Sequence, residues 1–228
     1  MMNMFEGFSP RTIDFMWNLR FNNRKPWFEE HKEEYRRVLL RPMRELEYEV
    51  FERLAGQCGD RGFIHKTARI YRDARRLHGS DPYRDHLWFS IARPSEEWTS
   101  TPVFWFELEP ESWSYGLGYY QAKPVTMSKL RSRIDKAPKQ FEKLIAPLEK
   151  QEEFVLEGPE YVRKKTAPTP KTEKWYNMKS FSLIHSQANG TELFSPELAG
   201  RLVRGFEFLM PFYDYFATLD ADPDPQIG

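Results

Sequence analysis

Apolar positions recur at helical spacing through the opening of the chain. Ile13, Met16, Trp17 and Arg20 share one face, with Phe15 and Leu19 beside them. Ser9 and Pro10 supply a start signal. Serine at the cap accepts a hydrogen bond from a free N–H, and proline at the first helical position lacks the donor that would go unpaired. The spacing predicts a helix over 10–21. Asn22 and Asn23 break it, and Pro26 starts a second helix carrying Trp27, His31, Tyr35 and Val38 on one stripe. Pro42 either kinks this helix or opens a third. Met43, Leu46, Val50 and Leu54 continue the spacing to Gly56, and Gly59 and Gly62 close the helical part.

The period then changes from helical to alternating. Over 67–76, Ala68, Ile70 and Ala74 fall on one face and Thr67, Arg69, Tyr71, Asp73 and Arg75 on the other. The runs 86–93, 102–109 and 113–120 are strand-like too, and Gly116 and Gly118 in the last mark a bulge or a close backbone approach. Strand-like runs joined by short connections predict an antiparallel sheet. Helical spacing returns at Ser128, a cap candidate, and again from Pro138. The segments 154–156 and 161–165 read as a short strand pair, 167–172 as a proline-rich loop, and Trp175 with Tyr176 as a short helical turn. Phe181, Leu183 and His185 alternate as a further strand. Ser195 and Pro196 repeat the start signal for a helix through Leu198, Leu202, Phe206 and Leu209, which Pro211 kinks or stops. Helices, then strands, then helices predict an α+β fold with a mostly antiparallel sheet packed against N-terminal and C-terminal helices. The expected organisation is a single domain over 1–219 with an acidic, flexible tail over 220–228.

Composition narrows the classes. At 228 residues the chain can bury a sizeable core. Lys+Arg and Asp+Glu both total 34, and this balance argues against nucleic acid as the partner and against steering to an acidic membrane. The lone cysteine, Cys58, excludes a disulfide framework and a cysteine-rich zinc site. No basic region followed by an apolar one stands at the start, and no apolar run approaches a membrane span, so a soluble cytoplasmic protein is expected.

Charge matters most over 65–84, which holds Lys66, Arg69, Arg72, Arg75, Arg76 and Arg84. Strict alternation would place Arg72 on the apolar face of Ala68 and Ile70. A buried arginine needs a carboxylate or an anionic ligand, because an unpaired buried charge is expensive. Its planar fork suits phosphate or carboxylate. One reading is therefore a pocket for an anionic small ligand, phosphorylated ligands included. Arg69, Arg72, Arg75 and Arg84 line it together with Asp73, and Tyr83 forms an aromatic wall. The competing reading pairs these arginines internally with Asp73, Asp81, Glu107 or Glu109, leaving a structural network and a protein-interaction module with a protein partner. A third is single-stranded nucleic-acid binding on the aromatic strands, which the zero net charge disfavours.

The histidines at 31, 65, 78, 86 and 185 form no metal-ligand spacing, so no metal is expected. His31 lies on an apolar stripe, where a satisfied core histidine is the rule, and His86 is a candidate acid–base partner of Asp73 or Asp85. No phosphate-cradling or dinucleotide-binding glycine motif is present, so no cofactor is named, and no complete catalytic set stands out.

Three pieces carry a family resemblance. These are the start FEGFSPRTIDFMWNLRFNNRKPWFEEHKEEY, the middle Arg69-Ile70-Tyr71-Arg72-Asp73 with Arg75 and Pro82-Tyr83-Arg84, and Lys179-Ser180-Phe181 before a long helix. Together they resemble the domain-of-unknown-function family 2461 over roughly 5–218. The resemblance implies a soluble α+β protein and assigns no reaction. The chain departs from the family pattern at His78, Gly79 and Ser80, where a Lys-Asp-Lys centre is usual.

Overall fold

A computed structural model of the chain describes residues 4–59, 61–73, 81–96 and 98–225. Helix α1 (Pro10–Phe21) starts where the serine–proline signal places it. Helix α2 (Lys25–Glu30) carries Pro26 in its first turn. Helix α3 (Lys32–Tyr35) runs through a π-turn at Arg36–Leu40 into α4 (Arg41–Cys58). The π-turn stands immediately before Pro42, whose ring and missing N–H disrupt the normal ladder to the carbonyl four residues back. That carbonyl is Val38 O, and the buried Thr12 hydroxyl of α1 donates to it at 2.7 Å.

Strands β1 (Ile64–Thr67), β2 (Leu87–Ala92), β3 (Val103–Leu108) and β4 (Ser112–Gly118) follow. Then come α5 (Pro124–Lys136), α6 (Pro138–Ile145), β5 (Val155–Glu157), the short α7 (Glu173–Tyr176), β6 (Ser182–Ala188) and the long α8 (Glu197–Ala217). The strands form an antiparallel six-stranded sheet in the order β1-β2-β3-β4-β6-β5. Register is set at one end by Ile64 opposite Ala92 and Thr67 opposite Phe89, and at the other by Val155 opposite Ile184. The fold is α+β, as the order of periodicities predicts.

Several expectations need correction. Of the strand predicted over 67–76, the described residues show only β1, which ends where that run was to begin; 74–76 lie outside the described residues. Beyond it the chain stays beside 82–88 through Ala68 N–H to Trp88 O (2.8 Å), Arg84 N–H to Ile70 O (2.8 Å) and Arg72 N–H to Pro82 O (2.9 Å), with one bridge between Tyr71 and Tyr83. Strict alternation is lost in such an irregular pairing, so Ile70 is buried but Arg72 is exposed. Ser128 is not a cap; α5 begins at Pro124, again at a proline. The segment 161–165 is not a strand. β5 pairs with β6 instead, and the Asn177 side chain holds both the N–H and the carbonyl of Lys165. Pro211 lies inside α8 without ending it.

Contacts divide the chain into two compact units. The first comprises 1–93, 105–115 and 186–207; the second comprises 94–104, 116–185 and 208–228. The first is cored by stacked and edge-on rings running Phe89, Phe106, Trp113, Tyr115 and Phe206, with neighbouring centroids 5.6–6.0 Å apart. Full burial of each such ring contributes about 1.5–3 kcal/mol. The second is cored by Phe141, Trp175, Phe181 and Phe216, with Phe181 and Phe216 4.9 Å apart. The close approach expected at the strand glycines is found at Gly118, where a Cβ would lie 2.5 Å from the Phe181 carbonyl oxygen. No helix among the described residues is long and apolar enough to cross a membrane.

Candidate functional site

The site is built on alternation. In β2, Leu87, Phe89 and Ile91 are buried while Trp88 and Ser90 are only half-buried; in β3, Phe106 and Leu108 are buried while Trp105 and Glu107 are half-buried. Period two therefore puts Trp88, Ser90, Trp105 and Glu107 on a polar face, and extends it to His86 before β2 and Glu109 after β3. All of these residues belong to the first unit.

On this face the His86 Nδ1–H donates to Asp85 Oδ1 at 3.2 Å, and His86 Nε2 lies 3.8 Å from Glu107 Oε1. One ligand atom from each of His86, Glu107 and Glu109 lies within 4.8 Å of the others. Arg20 of α1 closes one side: its Nε donates to Asp85 Oδ2 at 2.5 Å, and its two terminal nitrogens fork onto Glu111, one at 3.1 Å. The β3–β4 turn that presents Glu109 and Glu111 is pinned by Asn189. The Asn189 side-chain amide donates to the carbonyls of Glu109 (3.0 Å) and Pro110 (2.8 Å), and its backbone N–H donates to that of Glu111 (3.1 Å).

Electrostatics separate the carboxylates. Burial opposes ionisation of Asp85, but the hydrogen bonds from Arg20 and His86 outweigh it and hold the carboxyl below its usual range. The hydrogen bond from Arg20 likewise holds Glu111 low, and Arg20 itself is raised, chiefly by its bond to Glu111. Glu107 goes the other way. Burial pushes its carboxyl up, His86 opposes, and the neighbouring Glu109 adds to the rise.

The arginine hairpin adjoins this face through Trp88. The Arg84 guanidinium lies 5.0 Å from the Trp88 ring centroid, and the His86 ring stacks on the same indole at 5.5 Å. Arg84 Nη1 donates to the carbonyls of Arg69 (2.7 Å) and Tyr71 (2.6 Å). Arg69 and Arg72 are exposed, and Arg72 Nε donates to Tyr83 O at 3.0 Å. Asp73 is half-buried, and of the two candidate aspartates for His86 it is Asp85 that its ring hydrogen-bonds. Arg75 lies outside the described residues. Tyr83 is not an open aromatic wall: it is 2% exposed and stacks on Phe28 at 4.1 Å. His31 is the satisfied histidine of its stripe, with Nδ1 2.8 Å from Trp27 O and its ring on Trp27.

The family described as "Conserved hypothetical protein (DUF2461)" matches residues 11–215. The chain belongs to this family. A search of curated proteins finds no match. In this DUF2461 chain the matched span contains the whole face, from Arg20 to Asn189. Among the described residues, His86, Glu107 and Glu109 are grouped closely enough to hold a cation. Arg20, Glu111 and Asn189 were not legible as part of the site, because Arg20 meets Asp85 across 65 positions and Asn189 meets Glu109 across 80. The strand-like runs 86–93 and 102–109 already contain His86 and Glu109; the register between them, which brings the two together, left no local signal.

Proposed function

We propose that this chain binds a small anionic ligand, phosphorylated ligands included, at the Arg-rich hairpin beside the polar face of β2. The supporting observation is the Arg84–Trp88–His86 stack. It places one guanidinium over an indole, while Arg69 and Arg72 stand exposed on the same hairpin. Each has a division of labour. Arg84 spends its hydrogen bonds on two carbonyls and so shapes the hairpin. Arg72 has only Nε engaged among the described residues, which leaves the paired terminal nitrogens of its fork for a phosphate or carboxylate.

A thermal-shift screen of the purified chain against pyrophosphate, nucleotides and sugar phosphates tests this reading. A ligand that binds only the folded state at a hundredfold excess over its Kd adds about 2.7 kcal/mol of stability. Arg72→Met and Arg69→Met are each expected to weaken binding roughly tenfold or more, because charge-assisted hydrogen bonds contribute about 1.5–3 kcal/mol. Silence of the wild type across the screen, or a response unchanged in the double variant, would leave the hairpin as a structural network and turn attention to protein partners.

A further inference from the structure

We propose that His86, Glu107 and Glu109 form a binding site for one divalent first-row transition cation. The inference rests on the geometry of these three side chains and is independent of the anion-binding reading above.

The first argument is donor placement. Nitrogen and oxygen donors around a zinc-sized ion sit about 2.0–2.2 Å from it, and hence roughly 3–3.5 Å from one another. The three donor atoms here lie within 4.8 Å of each other, so small side-chain rotations bring them to that spacing. They come from the ends of two neighbouring strands, and the turn carrying Glu109 is held by three hydrogen bonds from Asn189. The backbone of the site is thus set without any ion.

The second argument is the orientation of the imidazole. His86 directs Nδ1–H to Asp85 and leaves Nε2 facing Glu107. A ligating histidine almost always gives its second N–H to a carboxylate or carbonyl, which fixes the ring and makes the ligating nitrogen more basic. Asp85 is in turn held by Arg20, so this orientation is supported through a further layer.

The third argument is charge. Among the described residues, no lysine or arginine pairs with Glu107 or Glu109; the neighbouring cation, Arg20, is committed to Asp85 and Glu111. Two carboxylates therefore share one imidazole, and a dication balances them. A mixed imidazole and carboxylate set with no thiolate suits manganese, iron or zinc ions better than calcium, which takes six to eight oxygens. Three protein donors on a partly open face leave positions for water, the arrangement of a reactive site and not of a closed structural one.

The test is isothermal titration of the tag-free full chain, stripped by chelator dialysis, with zinc and separately with manganese in a non-coordinating buffer. The expected result is one zinc per chain, with manganese bound more weakly in keeping with the usual order of affinities. Glu107→Gln and Glu109→Gln, both close in shape to the parent, are each expected to weaken zinc binding at least tenfold. Asp85→Asn, a positioning change, is expected to weaken it roughly tenfold or more. Arg72→Met should bind zinc like the wild type, which keeps this outcome separate from that of the anion screen. Circular dichroism of each variant verifies folding, and Glu109→Gln serves if Glu107→Gln does not fold. A wild type that takes up no cation, or zinc binding unchanged in a folded glutamine variant, would overturn the assignment.

Discussion

At Gly7 a single hydrogen atom decides whether the chain can pass. Its φ of +102° lies where side chains are rarely found, and a Cβ there would sit 2.3 Å from the Phe194 carbonyl oxygen. The obstacle is backbone and cannot swing aside. Gly7→Ala is expected to cost more than about 2 kcal/mol, from the disfavoured backbone conformation together with the displacement of residue 194. For a chain of this size that lowers Tm by roughly 4 °C or more, readable by calorimetry. A Tm within 1–2 °C of the wild type, taken as about half a kcal/mol, would show that the segment near Phe194 shifts freely. The same scale explains why the arginine run misleads. A guanidinium can serve as ligand, structural clamp or surface charge, and residue type alone does not choose. Arg84 is a clamp on two carbonyls, whereas Arg72 stands at the surface.

Elements are held at their ends by polar clamps that the hydrophobic pattern does not reveal. Arg133, in the last turn of α5, forks onto Asp222, with one contact at 2.8 Å. It also donates to the carbonyls of Tyr215 (3.0 Å) and Thr218 (2.7 Å), and its guanidinium lies over the Tyr215 ring at 5.2 Å. Lys129 of the same helix reaches Asp224 at 3.1 Å. The start of the acidic tail is thus tied down by ion pairs. The hydrogen bond from Arg133 holds the Asp222 carboxyl below its usual range, against the opposing effect of burial. A carboxyl lowered in the folded state stabilises the fold above its unfolded pKa, and that stabilisation is lost as pH falls through the folded value. Asp222→Asn is therefore expected to lower stability at pH 7 by about 1 kcal/mol or less, since the pair is partly solvated. The difference from wild type should close as pH falls below the ordinary aspartate range, through the lowered pKa of the folded state. Urea melts of both proteins across pH check this, and a difference that stays constant into strongly acidic solution would assign the loss to packing.

For the whole molecule, what could be read in advance was what burial imposes locally. The stripes of α1, α4 and α8 and the alternation of β2, β3 and β4 are direct consequences of one face meeting a core, so they stand out in the sequence. Pairing between strands left no such mark. Val155 could pair forward through Gly158 or with β6, and only the distant partner at Ile184 decides. The site divides in the same way. Asp85 beside His86, and Glu107 two before Glu109, are visible as neighbours. Their convergence with Arg20, and the role of Asn189, depend on long-range contacts that no local pattern encodes. The central claim is that the Arg-rich hairpin beside Trp88 receives the anionic ligand. Hydrogen exchange of the full chain, with and without a saturating hit from the phosphate screen, tests this most directly. The account predicts slowed exchange at 68–73 and 82–88, with little change elsewhere. Protection confined to other segments, with these two unchanged, would contradict it.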